Sequence, residues 1–133
     1  MIYAFVRNCG IYDRNEGAKL NIKVIFHIDE NSKWSLLLKN VQNLVQAVKP
    51  SASHIEVLAN SEAVKSYVAT DQNNDMAVMK ELAHSGIRFS ACNNALKAMG
   101  IESKLLAPFV EVVPVGVLEL IEKQAKGYAY IKP

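Results

Sequence analysis

The stretch Lys23–Ile28, KVIFHI, and the helical pattern that follows it indicate the fold class. Its β-branched and aromatic residues are typical of a buried strand, which ends at Asp29 and Glu30. Apolar residues then recur at intervals of three and four, which predicts a helix with one apolar face. They are Trp34, Leu37, Leu38, Val41, Leu44, Val45 and Val48. Pro50 ends this helix, because proline disfavours helical backbone in the residue before it.

The alternation of strand and helix continues to the end of the chain. Further strands are predicted at Ile55–Ala59, Ile87–Ala91, Val110–Val113 and Tyr128–Ile131, and further helices over 63–68, 76–83, 95–99 and 117–125. Such alternation predicts a parallel sheet with helices on both faces and right-handed crossovers. The fold class is therefore α/β, with five strands in the sheet.

The composition is that of one ordinary globular domain. The chain has 133 residues, of which 50% are hydrophobic and 21% charged. A net charge of +2 with scattered lysines argues against a nucleic-acid-binding surface. No apolar run is long enough to span a membrane. Two cysteines, Cys9 and Cys92, do not form a secreted disulfide framework, so we expect a reducing cytoplasm.

The segment Met1–Asn21 does not share the alternating pattern. It has the short apolar run Ile2–Val6, then turns polar, and it lacks the features of a signal peptide. An extra edge strand, a flexible tail and translation from an upstream start codon all remain open. We therefore predict an N-terminal extension at residues 1–21 and an α/β domain at residues 22–133.

Ligands and chemistry gather at the carboxyl ends of the strands in folds of this kind. The residues there are His27, Asp29, Asn60, Cys92, Pro114 and Lys132. Cys92 is the only nucleophile among them. It directly precedes Asn93, Asn94 and a short helical pattern, so unpaired backbone N–H groups and a helix dipole favour its reactive thiolate. Equally, a free cysteine is often just a small buried hydrophobe, and this alternative stays open.

Other motifs give little support to a different chemistry. No glycine-rich phosphate loop follows a strand, and there is no Cys-x-x-Cys pair. His27, His54 and His84 lie at unrelated points of the pattern, so we expect no metal site. His27 lies on the same strand face as Ile25 and at the same sheet edge as Cys92. It is either an activating base for the thiol or a hydrogen-bonded histidine packed under a helix.

Six blocks in order carry a resemblance to a known family. They are KVIFHIDE (23–30), NVQNL (40–44), VLANSEAV (57–64), GIRFSACNNAL (86–96), VEVVPVGV (110–117) and KQAKGYAYI (123–131). Together they resemble the DsrE/DsrF-like family of sulfur-relay proteins, in particular its small single-domain members. The resemblance covers residues 22–133.

The resemblance implies a three-layer α/β/α domain with a five-stranded parallel sheet in a flavodoxin-like arrangement, and assembly into homotrimers or homohexamers. It also implies that Cys92 receives a sulfane sulfur from a donor protein and passes it on as a persulfide. His27, Asn60, Asn93 and Asn94 are candidate binding residues beside it. Exchange between thiols proceeds by thiolate attack on sulfur and requires no metal or cofactor.

Two functions therefore remain for this chain. The first is a sulfur carrier or sulfurtransferase subunit that acts through Cys92. The second is a non-catalytic oligomeric module that binds a small molecule or a protein and in which Cys92 is structural. Exposure and reactivity of the thiol distinguish them.

Overall fold

The structure, a computed structural model, describes residues 21–49, 52–70 and 74–133. The strands are β1 (Lys23–Ile28), β2 (His54–Ala59), β3 (Arg88–Cys92), β4 (Val110–Val113) and β5 (Ala129–Ile131). They form one parallel sheet in the order β4-β3-β2-β1-β5, so β1, β2 and β3 lie inside and β4 and β5 at the edges. The interior strands are almost wholly buried, which explains why their sequences read as continuous apolar runs.

Within the described residues, four α-helices connect the strands. They are α1 (Trp34–Ala47), α2 (Asn74–His84), α3 (Asn93–Met99) and α4 (Gly116–Ala125). Short 3₁₀ helices occupy Asn31–Lys33, Ser61–Tyr67 and Ser103–Leu105. The third helix ends at Gly100, whose φ of 67° is the left-handed conformation in which glycine closes a helix at low cost.

One face of the sheet carries the main apolar core. We call it the first face; α1, α2, α3 and the 3₁₀ helix Ser61–Tyr67 cover it. Trp34, Tyr67 and Phe89 are buried at its centre, with ring centroids 5.3 Å apart between Trp34 and Tyr67 and 6.2 Å apart between Tyr67 and Phe89. The Trp34 indole N–H donates to the Ala63 carbonyl and the Tyr67 hydroxyl donates to the Val57 carbonyl, so neither buried polar group lacks a partner.

The opposite face, which we call the second face, is covered by α4. Its small apolar cluster consists of Ile25, Leu58, Val113 and Leu120, with Tyr128 packed against it. His27 lies on this face with Ile25, because side chains alternate along a strand and Phe26 belongs to the first face. The sequence predicts the same placement of His27 and Ile25 on one face of β1.

The predicted α/β architecture of five parallel strands in three layers is confirmed, and no predicted strand end differs from the observed one by more than one residue. The strand order 4-3-2-1-5 is not the 2-1-3-4-5 order of flavodoxin. The flavodoxin-like arrangement therefore holds for the layers and not for the strand order, because here β1 to β4 lie side by side in the order of the sequence.

Most of the proposed N-terminal extension, residues 1–20, lies outside the described residues, so the domain boundary at residue 22 stays a prediction. Within the described ranges, no helix has the length and apolar character needed to cross a membrane.

Candidate functional site

Cys92 lies at the carboxyl edge of the sheet, as the last residue of β3 and the N-cap of α3. Cys92 is 5% exposed and packs against the apolar core of the first face. Its sulfur, however, accepts a hydrogen bond from the backbone N–H of Gly116, at 3.3 Å. Gly116 is the first residue of α4, so the sulfur meets the N-terminus of a helix from the second face as well as the start of α3.

Asn60 lies immediately beyond β2, next to Gly116. Its side-chain amide leaves no room for a side chain there, since a Cβ added to Gly116 would lie 2.6 Å from Oδ1 and 2.8 Å from Nδ2 of Asn60. Glycine at position 116 therefore permits a close approach between the Asn60 amide and the backbone of α4. Both Cys92 and Asn60 thus contact the same residue of α4.

His27 joins this group through Asn60. Its Nε2 atom lies 3.3 Å from Asn60 Nδ2, and its Nδ1 atom lies 2.8 Å from the Tyr130 hydroxyl. Burial lowers the pKa of His27, Lys132 lowers it further and Asp29 opposes the shift. Both ring nitrogens are thus engaged by groups other than the thiol, and the ring connects to Cys92 through Asn60 and Gly116.

The remaining predicted residues of this edge lie around the group. Asp29 and Lys132 form an ion pair at 3.3 Å, with side chains 38% and 43% exposed. Asn93 is half-buried and Asn94 is exposed in the first turn of α3. Pro114 is exposed in the segment that leads into α4. A binding role for Asn93 and Asn94 stays a prediction.

A cluster of charged residues lies between the middle of the sheet and α4. Glu56 is 2% exposed, accepts from Ser90 Oγ at 2.7 Å and pairs with Arg88 at 3.1 Å and Lys123 at 3.6 Å. Arg88 also pairs with Glu119 at 3.0 Å and with the more exposed Glu111 at 2.7 Å. Three carboxylates thus face two cations.

The excess of acids has a consequence for protonation. Burial, reinforced by the neighbouring Glu119, raises the pKa of Glu56 to about 7, although Ser90 and Arg88 oppose the shift. When Glu56 is protonated, the two remaining carboxylates, Glu111 and Glu119, balance the charges of Arg88 and Lys123. Because α4 supplies Glu119 and Lys123, this cluster holds the helix whose first N–H contacts the Cys92 sulfur.

The structure brings together three of the predicted site residues, His27, Asn60 and Cys92. Sequence reasoning missed Gly116 and Tyr130, which complete the connection among them, and it missed the charged cluster. A signal for the cluster was present, because Glu56 and Ser90 are polar residues inside otherwise apolar strands. Among the described residues, no three His, Cys, Asp or Glu side chains are grouped to hold a metal ion.

These features define the class of protein: a three-layer α/β domain with one cysteine, among the described residues, at the carboxyl edge of its sheet. The chain belongs to the DsrE/DsrF-like family, whose model matches residues 18–133. A comparison with functionally curated proteins finds no match.

Solved structures share the fold. A protein of unknown function from Methanobacterium thermoautotrophicum is 36% identical, with a TM-score of 0.76 over 85% of this chain and 100% of its own. The ychN protein of E. coli is 16% identical, with a TM-score of 0.68 over 86% of this chain and 99% of its own. A conserved protein of unknown function from Bacteroides thetaiotaomicron is 17% identical, with a TM-score of 0.64 over 92% and 100%.

Proposed function

We propose that this protein is an intracellular sulfur-relay protein that carries sulfane sulfur as a persulfide on Cys92. Membership of the DsrE/DsrF-like family supports a role in sulfur relay. The observation that carries the choice of residue is the Gly116 N–H donated to Cys92 Sγ at 3.3 Å. A donor aimed at sulfur favours the negatively charged form, and the thiolate is the nucleophilic form of cysteine.

The proposed step is thiol exchange. The Cys92 thiolate attacks the outer sulfur of a persulfide R–S–SH on a donor protein. The new S–S bond joins Cys92 to that sulfur, the donor's S–S bond breaks, and the donor leaves as the thiolate R–S⁻. The product, Cys92–S–SH, loses its proton to solvent, and a thiolate of the acceptor protein repeats the attack. No net oxidation or reduction occurs, so the step requires no cofactor.

Delivery of sulfur to a residue that is 5% exposed requires the cover over it to move. That cover includes the segment from Pro114 to Gly116, which leads into α4 and is exposed at Pro114 and Val115. A donor protein would therefore meet a surface segment first, and a small displacement of the start of α4 would uncover the sulfur.

The burial of Cys92 favours the second candidate, an oligomeric binding module in which the thiol only packs. A buried cysteine in contact with the apolar core is the expected arrangement for such a role. The two functions differ in whether Cys92 accepts sulfur in the folded protein.

The experiment is incubation of the full chain with a low-molecular-weight persulfide donor, followed by peptide-resolved mass spectrometry. The sulfur-relay function predicts adducts of about 32 Da, the mass of one sulfur atom, at Cys92, removed by dithiothreitol. Cys92→Ser should abolish the adduct and Cys9→Ser should leave it. An unmodified Cys92, together with a Cys92→Ser variant destabilised by about 1–3 kcal/mol, would support the binding module instead.

We also propose that the chain forms a homo-oligomer, a trimer or a hexamer. The apolar outer surface of α4 supports an interface, since Val117, Leu118 and Ile121 are 60%, 48% and 57% exposed. Light scattering during size exclusion at micromolar concentration tests it. A species of the monomer mass, 14.7 kDa, would contradict it.

A further inference from the structure

We infer that Asn60 is a positioning residue for the Cys92 sulfur: its amide holds Gly116 where the Gly116 N–H reaches Sγ. The inference deepens the proposed function and rests on it only in treating Cys92 as the reacting residue. It assigns a purpose to His27 and Tyr130 as well, because they fix the Asn60 amide.

The backbone of Asn60 is fixed at both ends. Its N–H donates to the Ile28 carbonyl at 2.8 Å, which anchors it to β1, and its carbonyl accepts from the Ala63 N–H at 3.1 Å at the start of the 3₁₀ helix. Its extended φ and ψ angles of −122° and 168° continue the direction of β2. The amide therefore projects from a rigid point at the carboxyl edge of the sheet.

The amide approaches the first residue of α4 so closely that only glycine fits there. A Cβ on Gly116 would lie within 3.0 Å of three Asn60 side-chain atoms, so the two residues are packed without a gap. Gly116 is itself buried, and its N–H donates to Cys92 Sγ at 3.3 Å. Moving the amide therefore changes the position of the one backbone donor that the described residues place on the sulfur.

His27 fixes which way the amide points. With Asn60 Nδ2 donating to His27 Nε2 at 3.3 Å, the neutral ring carries its proton on Nδ1 and donates it to the Tyr130 hydroxyl at 2.8 Å. By binding the Asn60 amide, His27 holds the rotamer of the residue that contacts Gly116. Contacts thus run unbroken from Tyr130 on β5 to the sulfur at the end of β3.

The test is the rate at which iodoacetamide alkylates Cys92 in the full chain as a function of pH, read on the Cys92 peptide by mass spectrometry. Asn60→Ala frees the start of α4 and weakens the N–H donated to the sulfur. We expect the midpoint of the pH profile to rise by about half to one pH unit, which makes alkylation at pH 7 about three- to tenfold slower. A loss of packing alone would change the plateau rate at high pH and leave the midpoint in place.

Two further variants keep the inference falsifiable. His27→Phe preserves a ring but removes both ring nitrogens. It should therefore also raise the midpoint of the alkylation profile, but by less than Asn60→Ala does. Asn43→Ala, at an exposed asparagine of α1, is the matched control and should leave the profile unchanged. Wild-type midpoints in the folded Asn60→Ala and His27→Phe variants would overturn the inference, and if Asn60→Ala does not fold, His27→Phe alone decides.

The alkylation profile separates this inference from the proposed function. A shifted midpoint in a protein whose Cys92 accepts no sulfur would support Asn60 as a positioning residue and reject the relay function. An unshifted midpoint in a protein whose Cys92 does accept sulfur would reject the role of Asn60 and keep the relay function.

Discussion

The first face of the sheet is packed almost wholly by apolar side chains, whereas the second face combines four buried apolar residues with the charged cluster around Glu56. The first face contains the rings of Trp34, Tyr67 and Phe89, which pack in tilted and edge-to-face pairs. The second contains the connection from His27 through Asn60 to Gly116. The same strands supply both faces through their alternate residues.

Stability and chemistry are divided between the two faces of the sheet. Burial of apolar surface is the largest favourable term in folding, and the first face supplies most of it. Buried polar and charged groups add little net stability, yet they fix positions closely because each must keep its partners. The second face is therefore suited to holding α4 in one position over the Cys92 sulfur.

The largest expected effect tests the first face. Phe89→Ala removes a fully buried ring that packs against Tyr67 and Phe109 and should cost about 3–5 kcal/mol in the free energy of unfolding. Leu120→Ala on α4 should cost less, about 2 kcal/mol, because this side chain reaches the rim of a small cluster at 9% exposure. Urea unfolding measures both, and equal losses would contradict the division between the faces.

An intermediate effect tests the charged cluster. The pKa of Glu56 is about 7 in the folded protein against 4.5 for an ordinary glutamate, so the folded state binds the proton more tightly. The stabilisation from this group is therefore complete below pH 4.5 and is lost as the pH rises through 7. From pH 4.5 to pH 8 the free energy of unfolding of the wild type should fall by about 2–3 kcal/mol because of this group. Glu56→Gln mimics the protonated form at every pH, so this fall should be absent in the variant.

Unfolding in urea at pH 4.5 and pH 8 provides the measurement, with Glu102→Gln as the matched control. Glu102 pairs with Lys104 at the surface, with both side chains more than 60% exposed, so its loss should leave the pH dependence of the wild type. The same pH dependence in Glu56→Gln as in the wild type would show that Glu56 does not hold the extra proton.

The sequence predicts the first face far better than the second. Apolar periodicity identifies α1 and the strands because burial against one face imposes a regular spacing. The residues Trp34, Leu37, Leu38 and Val41, all predicted to face the core, are all buried. Periodicity carries no information on strand order, so the departure from the flavodoxin order was not predictable in this way.

The second face depends on pairings between residues distant in sequence. His27 and Tyr130 are 103 residues apart, and Gly116 and Cys92 are 24 apart, so no local pattern joins them. The rule that chemistry gathers at the carboxyl ends of strands did select His27, Asn60 and Cys92. It could not select Gly116, because that glycine is defined by the approach of Asn60 and not by its own neighbours.

The smallest expected effect concerns His27 and has the opposite sign to that of Glu56. Burial, the leading cause, lowers the pKa of His27 below the value of 6.5 that the unfolded chain has. The unfolded chain therefore binds the proton first, and the stabilisation present above pH 6.5 is lost as the pH falls below it. The partial exposure of His27 limits this loss through solvent screening, so it should be smaller than the loss from Glu56.

His27→Phe isolates the effect, since it removes the titrating group and keeps a ring. The difference in unfolding free energy between wild type and variant should shrink as the pH is lowered from 8 to 5, whereas His84→Phe, at an exposed histidine, should show no such trend. A difference that grows on acidification would mean that protonated His27 is favoured by Asp29 and that burial does not dominate. Because the two pKa shifts have opposite directions, the sign of the pH dependence shows which of the two groups on this face a variant has removed.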